Sequence, residues 1–286
     1  MKCNLCPRKC NIDRSEELGF CNQTNDLKIS KIMLHKYEEP IISGKKKGSG
    51  AIFFSGCNLK CVFCQNYPIS QGGKGKIFTI FEFIESMKKL EARGAHNINL
   101  VSPTQFAFQI ATALKIYKPK IPVVWNSNGY ETEEMIEMLR GLVDIFLVDF
   151  KYFDDSLAQK YSKAPNYVAN ASKALIKMKS LQPNDIIENG LMKKGIIIRH
   201  LVLPSHSSDS IKCLQFIADN LGRDSIVSIM SQYEPRYDAK NYPEINRKIR
   251  PIEYKRVVNY ALKLGLKNAY VQDLTSADSR YTPKFR

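Results

Sequence analysis

The chain has 286 residues, 44% of them hydrophobic, and its 43 lysines and arginines against 28 acidic residues give a formal charge of +15. That length suits one sizeable core, the size of a single α/β barrel, and would cramp two large domains. No run approaches the roughly 20 apolar residues that cross a bilayer, and the opening MKCNLCPRKC is polar and lacks an apolar signal region, so the expectation is a cytoplasmic protein with no membrane partner. The basic residues are scattered, as at Lys45–Lys47, Lys88–Lys89, Lys193–Lys194 and Arg247–Arg256. Such spread charge reads first as solvated surface and only second as a nucleic-acid footprint. Seven of the eight cysteines fall in two tight clusters with metal-ligand spacing, which points to reduced, metal-bound thiolates rather than the disulfide framework of a small secreted domain.

Residues 1–25 hold Cys3, Cys6, Cys10 and Cys21. Four thiolates close a coordination shell, and so short a looped segment has no core of its own, so a bound metal would supply much of its folding energy. Zinc and an iron–sulfur cluster both accept four thiolates, and spacing does not choose between them. Residues 27–34, LKISKIML, alternate apolar and polar and read as a half-exposed strand. His35, read as a packing residue, and the pair Glu38 and Glu39 follow, before a Gly- and Lys-rich connection to residue 50.

From residue 51 short apolar runs alternate with amphipathic ones, the pattern of repeated βα units on a parallel sheet. Candidate strands cover 51–55, 97–101, 121–125, 144–149, 196–203 and 225–230. Thr79, Thr132 and Asp209 are candidate helix caps, Pro251 opens a last helix, and 184–194 reads as a loop. Six strands predict an α/β fold that is a partial (β/α)6 barrel at 48–235. A cysteine-rich N-terminal extension at 1–47 and a helical C-terminal extension at 236–286 flank it. Cys213, alone in an amphipathic helix, reads as a small core residue.

After the first of these strands comes GCNLKCVFCQNYPIS, with Cys57, Cys61 and Cys64 spaced CxxxCxxC. Structural zinc sites and electron-carrying clusters close their shells with four protein ligands, whereas three cysteines on an iron–sulfur cube leave one iron open. A zinc knuckle completed from elsewhere is the other reading of these three residues. CxxxCxxC with Phe63 before its last cysteine resembles the defining motif of the radical SAM enzymes, and CQN resembles the CHN of glycyl-radical activating enzymes. The resemblance implies a [4Fe-4S] cluster on Cys57, Cys61 and Cys64, S-adenosylmethionine on its open iron, Phe63 near the adenine and Asn66 touching the cofactor.

In parallel αβ barrels the active site forms at the C-terminal strand ends. The later strand ends carry the resemblance further. The second ends Val101-Ser102-Pro103-Thr104 where many relatives have Gly-Gly-Glu, so Ser102, Thr104 or backbone carbonyls would meet the methionine end. The third ends Trp125-Asn126-Ser127-Asn128-Gly129, similar to the activases' Asp-Thr-Asn-Gly, with Asn126 in place of an aspartate. The fourth, Asp149-Phe150-Lys151, resembles their Asp-Leu-Lys and implies that Lys151 faces the cofactor. The fifth carries Arg199 before HLVLP, similar to a strand that approaches the ribose, with His200 packing. The sixth ends Ser231-Gln232-Tyr233-Glu234, where activases place a histidine.

The resemblance covers roughly residues 48–235 and is strongest for uncharacterised proteins described as like the pyruvate formate-lyase activating enzyme. It implies reductive cleavage of S-adenosylmethionine to a 5′-deoxyadenosyl radical, an electron from flavodoxin or ferredoxin, and a glycine in a partner protein as target. Six units would leave a lateral opening for a peptide loop, unless the N-terminal cysteine segment or the chain after 235 fills it. An RNA base or a small molecule is the alternative target. A non-catalytic zinc protein binding RNA is the alternative of another class, and the six-unit rhythm argues against it.

Overall fold

The structure, a computed structural model, describes residues 2–274 together with Pro283 and Phe285. The chain opens with the cysteine-rich loops, then β1 (Lys28–His35), α1 (Pro40–Ser43), β2 (Ser49–Phe54), α2 (Tyr67–Ser70), β3 (Lys76–Ile77) and α3 (Ile80–Ala92). It continues through β4 (Ile98–Val101), α4 (Ala107–Ile116), β5 (Val123–Ser127), α5 (Glu133–Met138), β6 (Ile145–Asp149), α6 (Asp155–Ser162) and α7 (Tyr167–Leu181). It closes with β7 (Ile186–Glu188), β8 (Leu191–Leu201), α8 (Ser207–Asn220), β9 (Ile226–Met230), α9 (Pro251–Leu264) and β10 (Asn268–Val271). One curved sheet runs β10-β9-β8-β6-β5-β4-β2-β1-β3, with β7 paired to β8. The six expected strands are β2, β4, β5, β6, β8 and β9, each parallel to the next. They make the open α/β barrel anticipated from the βα rhythm. Beyond them β10 adds in parallel to β9, and β1 adds antiparallel to β2.

Strand alternation sorts side chains into two populations. Ile52, Leu100, Trp125, Phe146, Ile198 and Val227 point outward into the main core shared with the helices. Val124, Ile145, Leu147, Ile197 and Ile226 point into the lumen and pack on Ile41 and Ile42 of α1. The short α1 therefore stoppers the barrel floor, and burying its two isoleucines stabilises that closure by about 1.5–3 kcal/mol each. One step further along the strands the inward positions turn polar, at Asn126, Asp149 and Arg199, and the site begins there.

Thr79 caps α3 in a full capping box with Glu82, and Thr132 caps α5 by accepting the Met135 N–H. Asp209 does not cap α8: the helix starts at Ser207 after His206, and the Asp209 carboxylate accepts the Phe153 N–H at 3.1 Å instead. Residues 184–194 are not a loop but a hairpin of β7 and β8, turned at Asn189 (φ 52°) and Gly190 (φ 74°). Two consecutive left-handed residues are what a tight hairpin turn requires. No helix among the described residues is long and apolar enough to cross a membrane.

Candidate active site at the strand ends

Gly56 carries the chain from β2 into the cysteine loop with φ +78°, and a Cβ there would stand 2.5 Å from the Cys21 carbonyl oxygen, so only glycine fits. The loop is then sewn to the end of α6, since Lys60 N–H donates to Ser162 O (3.0 Å) and Val62 N–H to Tyr161 O (2.8 Å). Held in this way, Cys57, Cys61 and Cys64 form one wall of a cavity of about 220 Å³ at the C-terminal strand ends, together with Phe63 and Asn66. Phe63 rests edge-on against Tyr233, ring centroids 5.6 Å apart. Cys57 Sγ faces the Leu59 N–H and the Asn128 amide, each at 3.4 Å. Cys61 Sγ lies 3.0 Å from Ser162 Oγ, which in turn lies 2.7 Å from the Tyr152 hydroxyl, and Cys64 Sγ lies 3.2 Å from Ser70 Oγ. Burial, added to by the neighbouring Cys61, pushes the Cys57 thiol up to about 11 and the Cys64 thiol up to about 12. Ionising them together therefore calls for a positive centre among them.

The facing wall is a network of alternating charge. Arg199 donates from Nε to Asp149 (2.8 Å), from Nη1 to Glu38 (3.1 Å) and from Nη2 to Asn126 Oδ1 (2.7 Å), while Lys151 Nζ donates to the other Asp149 oxygen at 2.7 Å. Burial alone would raise the Asp149 carboxyl, but Arg199 and Lys151 outweigh it and hold it below the usual carboxylate range. Lys151, expected as a cation facing the cavity, does line it, but as half of an ion pair. Glu38 was missed as a site residue. It supplies a carboxylate hydrogen-bonded to Asn126, the position where the resembling motif has an aspartate. The sequence signal was the acidic pair directly after β1, whose reach to β8 only the α1 stopper reveals.

Ser102 also lines the cavity, in a left-handed conformation (φ 54°). Gln105 pins its carbonyl at 2.8 Å. Thr104 turns away: its hydroxyl donates to the buried Glu131, which also takes the Trp125 indole N–H and the Ser127 hydroxyl, each at 2.8 Å. Gln232, Tyr233 and Glu234 complete the rim at the end of β9, and Pro283 lines it as well. His35 is buried against Phe53 but also lines the cavity, which the packing reading did not anticipate, and Cys213 is fully buried.

The N-terminal cysteines lie apart from this cavity. Cys3, Cys6, Cys10 and Cys21 line a small cavity of their own with Arg8 and Arg14. Arg14 is buried and donates to the carbonyls of Gln105 (2.6 Å) and Gln23 (3.2 Å), and Arg8 Nε donates to Asn58 O at 3.0 Å. These bonds fasten the extension to the back of the cysteine loop. Among the described residues no three His, Cys, Asp or Glu side chains are gathered round one ion position as the ligands of a mononuclear zinc site would be.

An open barrel with a three-thiol loop after its first parallel strand, and charged side chains at the later strand ends, defines a class of enzyme built around an incompletely ligated cluster. The chain belongs to the radical SAM superfamily, whose family model matches residues 51–204. An uncharacterized protein of Methanocaldococcus jannaschii, MJ0674, is 36% identical over 94% of this chain and 76% of its own. The fold is similar to that of SuiB of Streptococcus suis bound to the precursor peptide SuiA (TM-score 0.54, 14% identity, 76% of this chain and 46% of that one). It is also similar to methylornithine synthase PylB (TM-score 0.50, 13% identity, 75% of this chain and 60% of that one). The chain thus spans about half of SuiB and somewhat more of PylB. Membership implies a [4Fe-4S] cluster and S-adenosylmethionine, and the donor set fits: three thiols on one cavity wall, each with a hydrogen-bonding group at its sulfur.

Proposed function

We propose that this enzyme abstracts a hydrogen atom from a glycine of a partner protein, as the glycyl-radical activating enzymes do. The observation that carries the reading is the convergence of Asn66, Asn126, Lys151 and Arg199, the positions that resemble activase motifs, on the cavity walled by the three thiols. When bound, the cluster and S-adenosylmethionine supply a 5′-deoxyadenosyl radical after one-electron reduction by flavodoxin or ferredoxin.

The chain's own work is to hold and orient. Cys57, Cys61 and Cys64 hold the cluster, and Phe63 offers an apolar face for the adenine. Asn66 would touch the cofactor, Ser102 would meet its methionine end, and Lys151, held by Asp149, would present its ammonium to a carboxylate as a point charge. Arg199, bonded to Asp149, Glu38 and Asn126, is fixed on three sides and keeps Asn126 presented to the cavity. A small molecule as target is the second reading. It is favoured by Pro283 at the rim and by Phe285 packed 5.5 Å from Phe53, which narrow the space a peptide loop would use.

Anaerobically reconstituted protein with dithionite and S-adenosylmethionine should release 5′-deoxyadenosine, and Cys61→Ala should abolish the release with loss of the cluster. With partner candidates from its own cell extract added, electron paramagnetic resonance should show the doublet of a glycyl radical. A metabolite that consumes the cofactor while no protein acquires a radical establishes the second reading.

A further inference from the structure

Along the cysteine loop the side chains alternate in direction. Cys57, Leu59, Cys61 and Phe63 face the cavity, and Lys60 does not line it. Its ammonium lies 5.4 Å from the centre of the Phe20 ring, over which the Arg8 guanidinium sits at 3.7 Å. The Lys60 backbone N–H donates to the carbonyl of Ser162, whose next residue in the chain is the exposed Lys163. Two cations from separate segments thus share one aromatic ring at the back of the loop, with Lys163 as a third next to Ser162. Among the described residues none of the three has a carboxylate partner, whereas Lys88, Lys151, Lys160, Lys177 and Arg199 all do. A cationic face without carboxylate partners draws an anionic protein toward it from a distance.

We infer that the Arg8, Lys60, Lys163 and Phe20 face is where a small acidic electron-carrier protein docks to reduce the cluster. The inference rests on the radical reading above, which requires an electron from outside. In that reading cofactor and target would take up the cavity side of the loop, so the back of the loop is the approach that would leave both in place. A carrier seated on Lys60 touches the residue bonded to Cys61. The transfer moves a single electron: the carrier's reduced centre loses it, the iron–sulfur centre gains it, and no atoms change place. Exposed charge pairs add little affinity singly but steer encounter, so binding here should fall steeply with salt.

The test uses holoenzyme and an acidic flavodoxin. Lys60→Gln with Lys163→Asn, the latter a residue that tolerates the left-handed conformation Lys163 adopts (φ 50°), should weaken calorimetric binding of oxidised flavodoxin by about tenfold and flatten its salt dependence. Release of 5′-deoxyadenosine driven by dithionite, which needs no docking, should stay within about twofold of wild type. The control Lys193→Gln with Lys194→Gln, on the hairpin below the barrel floor, should change neither. Unchanged flavodoxin binding in the first variant, or an equal loss in the control, overturns the inference. So does an RNA oligonucleotide whose binding needs Lys60 and Lys163 while that of flavodoxin does not. If the wild type fails to cleave the cofactor even with dithionite, the radical reading is what fails, and the binding measurement still decides the docking face.

Discussion

The hydroxyl chain Tyr152–Ser162–Cys61 has a direction that ligation would fix. With a free thiol either Ser162 or Cys61 could donate across their 3.0 Å contact. A thiolate on iron has no proton, so Ser162 must donate to sulfur, and its lone pair is then free to accept from Tyr152 at 2.7 Å. Both residues are fully buried, where such a chain is polarised and strengthened. Hydrogen bonds to a cluster sulfur draw off negative charge and favour the reduced state. Ser162→Ala should therefore move the cluster's midpoint potential to a more negative value in a redox titration followed by electron paramagnetic resonance, and Tyr152→Phe should move it less in the same direction. An unmoved potential in Ser162→Ala would show that the hydroxyl only fills space. Neither residue stood out in the sequence, because a serine at a helix end and a tyrosine in an aromatic-rich stretch carry no spacing signal. Cys57, Cys61 and Cys64 did, because CxxxCxxC spacing gathers three thiols within one short loop.

At the scale of elements, the capped helices were legible and the cross-element anchors were not. Thr79 and Thr132 act on N–H groups three residues away, so sequence distance and spatial distance agree. Asp209 looked like the same kind of signal and was claimed by Phe153, 56 residues distant. Glu253, in the first turn of α9, combines both. It accepts the Arg250 N–H locally at 2.8 Å, takes Arg247 at 2.7 and 2.8 Å through its two oxygens, and takes the Ser205 N–H at 2.8 Å across from the loop before α8. The Arg247 bonds, against the opposing push of partial burial, hold its carboxyl at about 2. Its contribution to stability is full above the unfolded value of about 4.5 and is lost as pH falls from there through about 2. Glu253→Gln should cost roughly 1–2 kcal/mol at pH 7 after allowing for solvent screening. Denaturant melts repeated from pH 6 to pH 3 should also show a shallower acid limb in this variant. A variant that tracks wild type over that range would remove Glu253 from the account.

Across the whole molecule, the N-terminal extension is small but touches the barrel where the chemistry is set. Cys21 abuts Gly56, Arg14 spans to Gln105, and Arg8 reaches Asn58 beside Cys57. Its four thiols line one small cavity without being gathered round a single ion position, so a metal there would have to draw them together as it folds this segment. Cys10→Ser should lower the melting temperature and speed amide exchange over residues 2–26 first, while iron at the Cys57, Cys61 and Cys64 loop persists. Elemental analysis reads the metal directly: one zinc and four irons per chain make the extension structural, and eight irons without zinc make it a second cluster. Early loss of the Cys57 loop's iron in this variant would contradict a purely structural extension.

What the sequence determined by itself was most of what local spacing carries: the βα rhythm with its six parallel strands, and the clustering of three thiols in one loop and of four cysteines at the N-terminus. Periodicity and ligand spacing are properties of neighbours in the chain, and they survive without knowledge of the fold. Only the tertiary structure decided that Glu38 stands beside Asn126, that Lys151 and Arg199 share Asp149, that Ser162 reaches Cys61, and that Arg8 and Lys163 flank Lys60. Those pairings join residues brought together by barrel closure, and the α1 stopper and the end of α6 set their distances. A charge network of this kind depends on ångströms across space, which residue order does not encode.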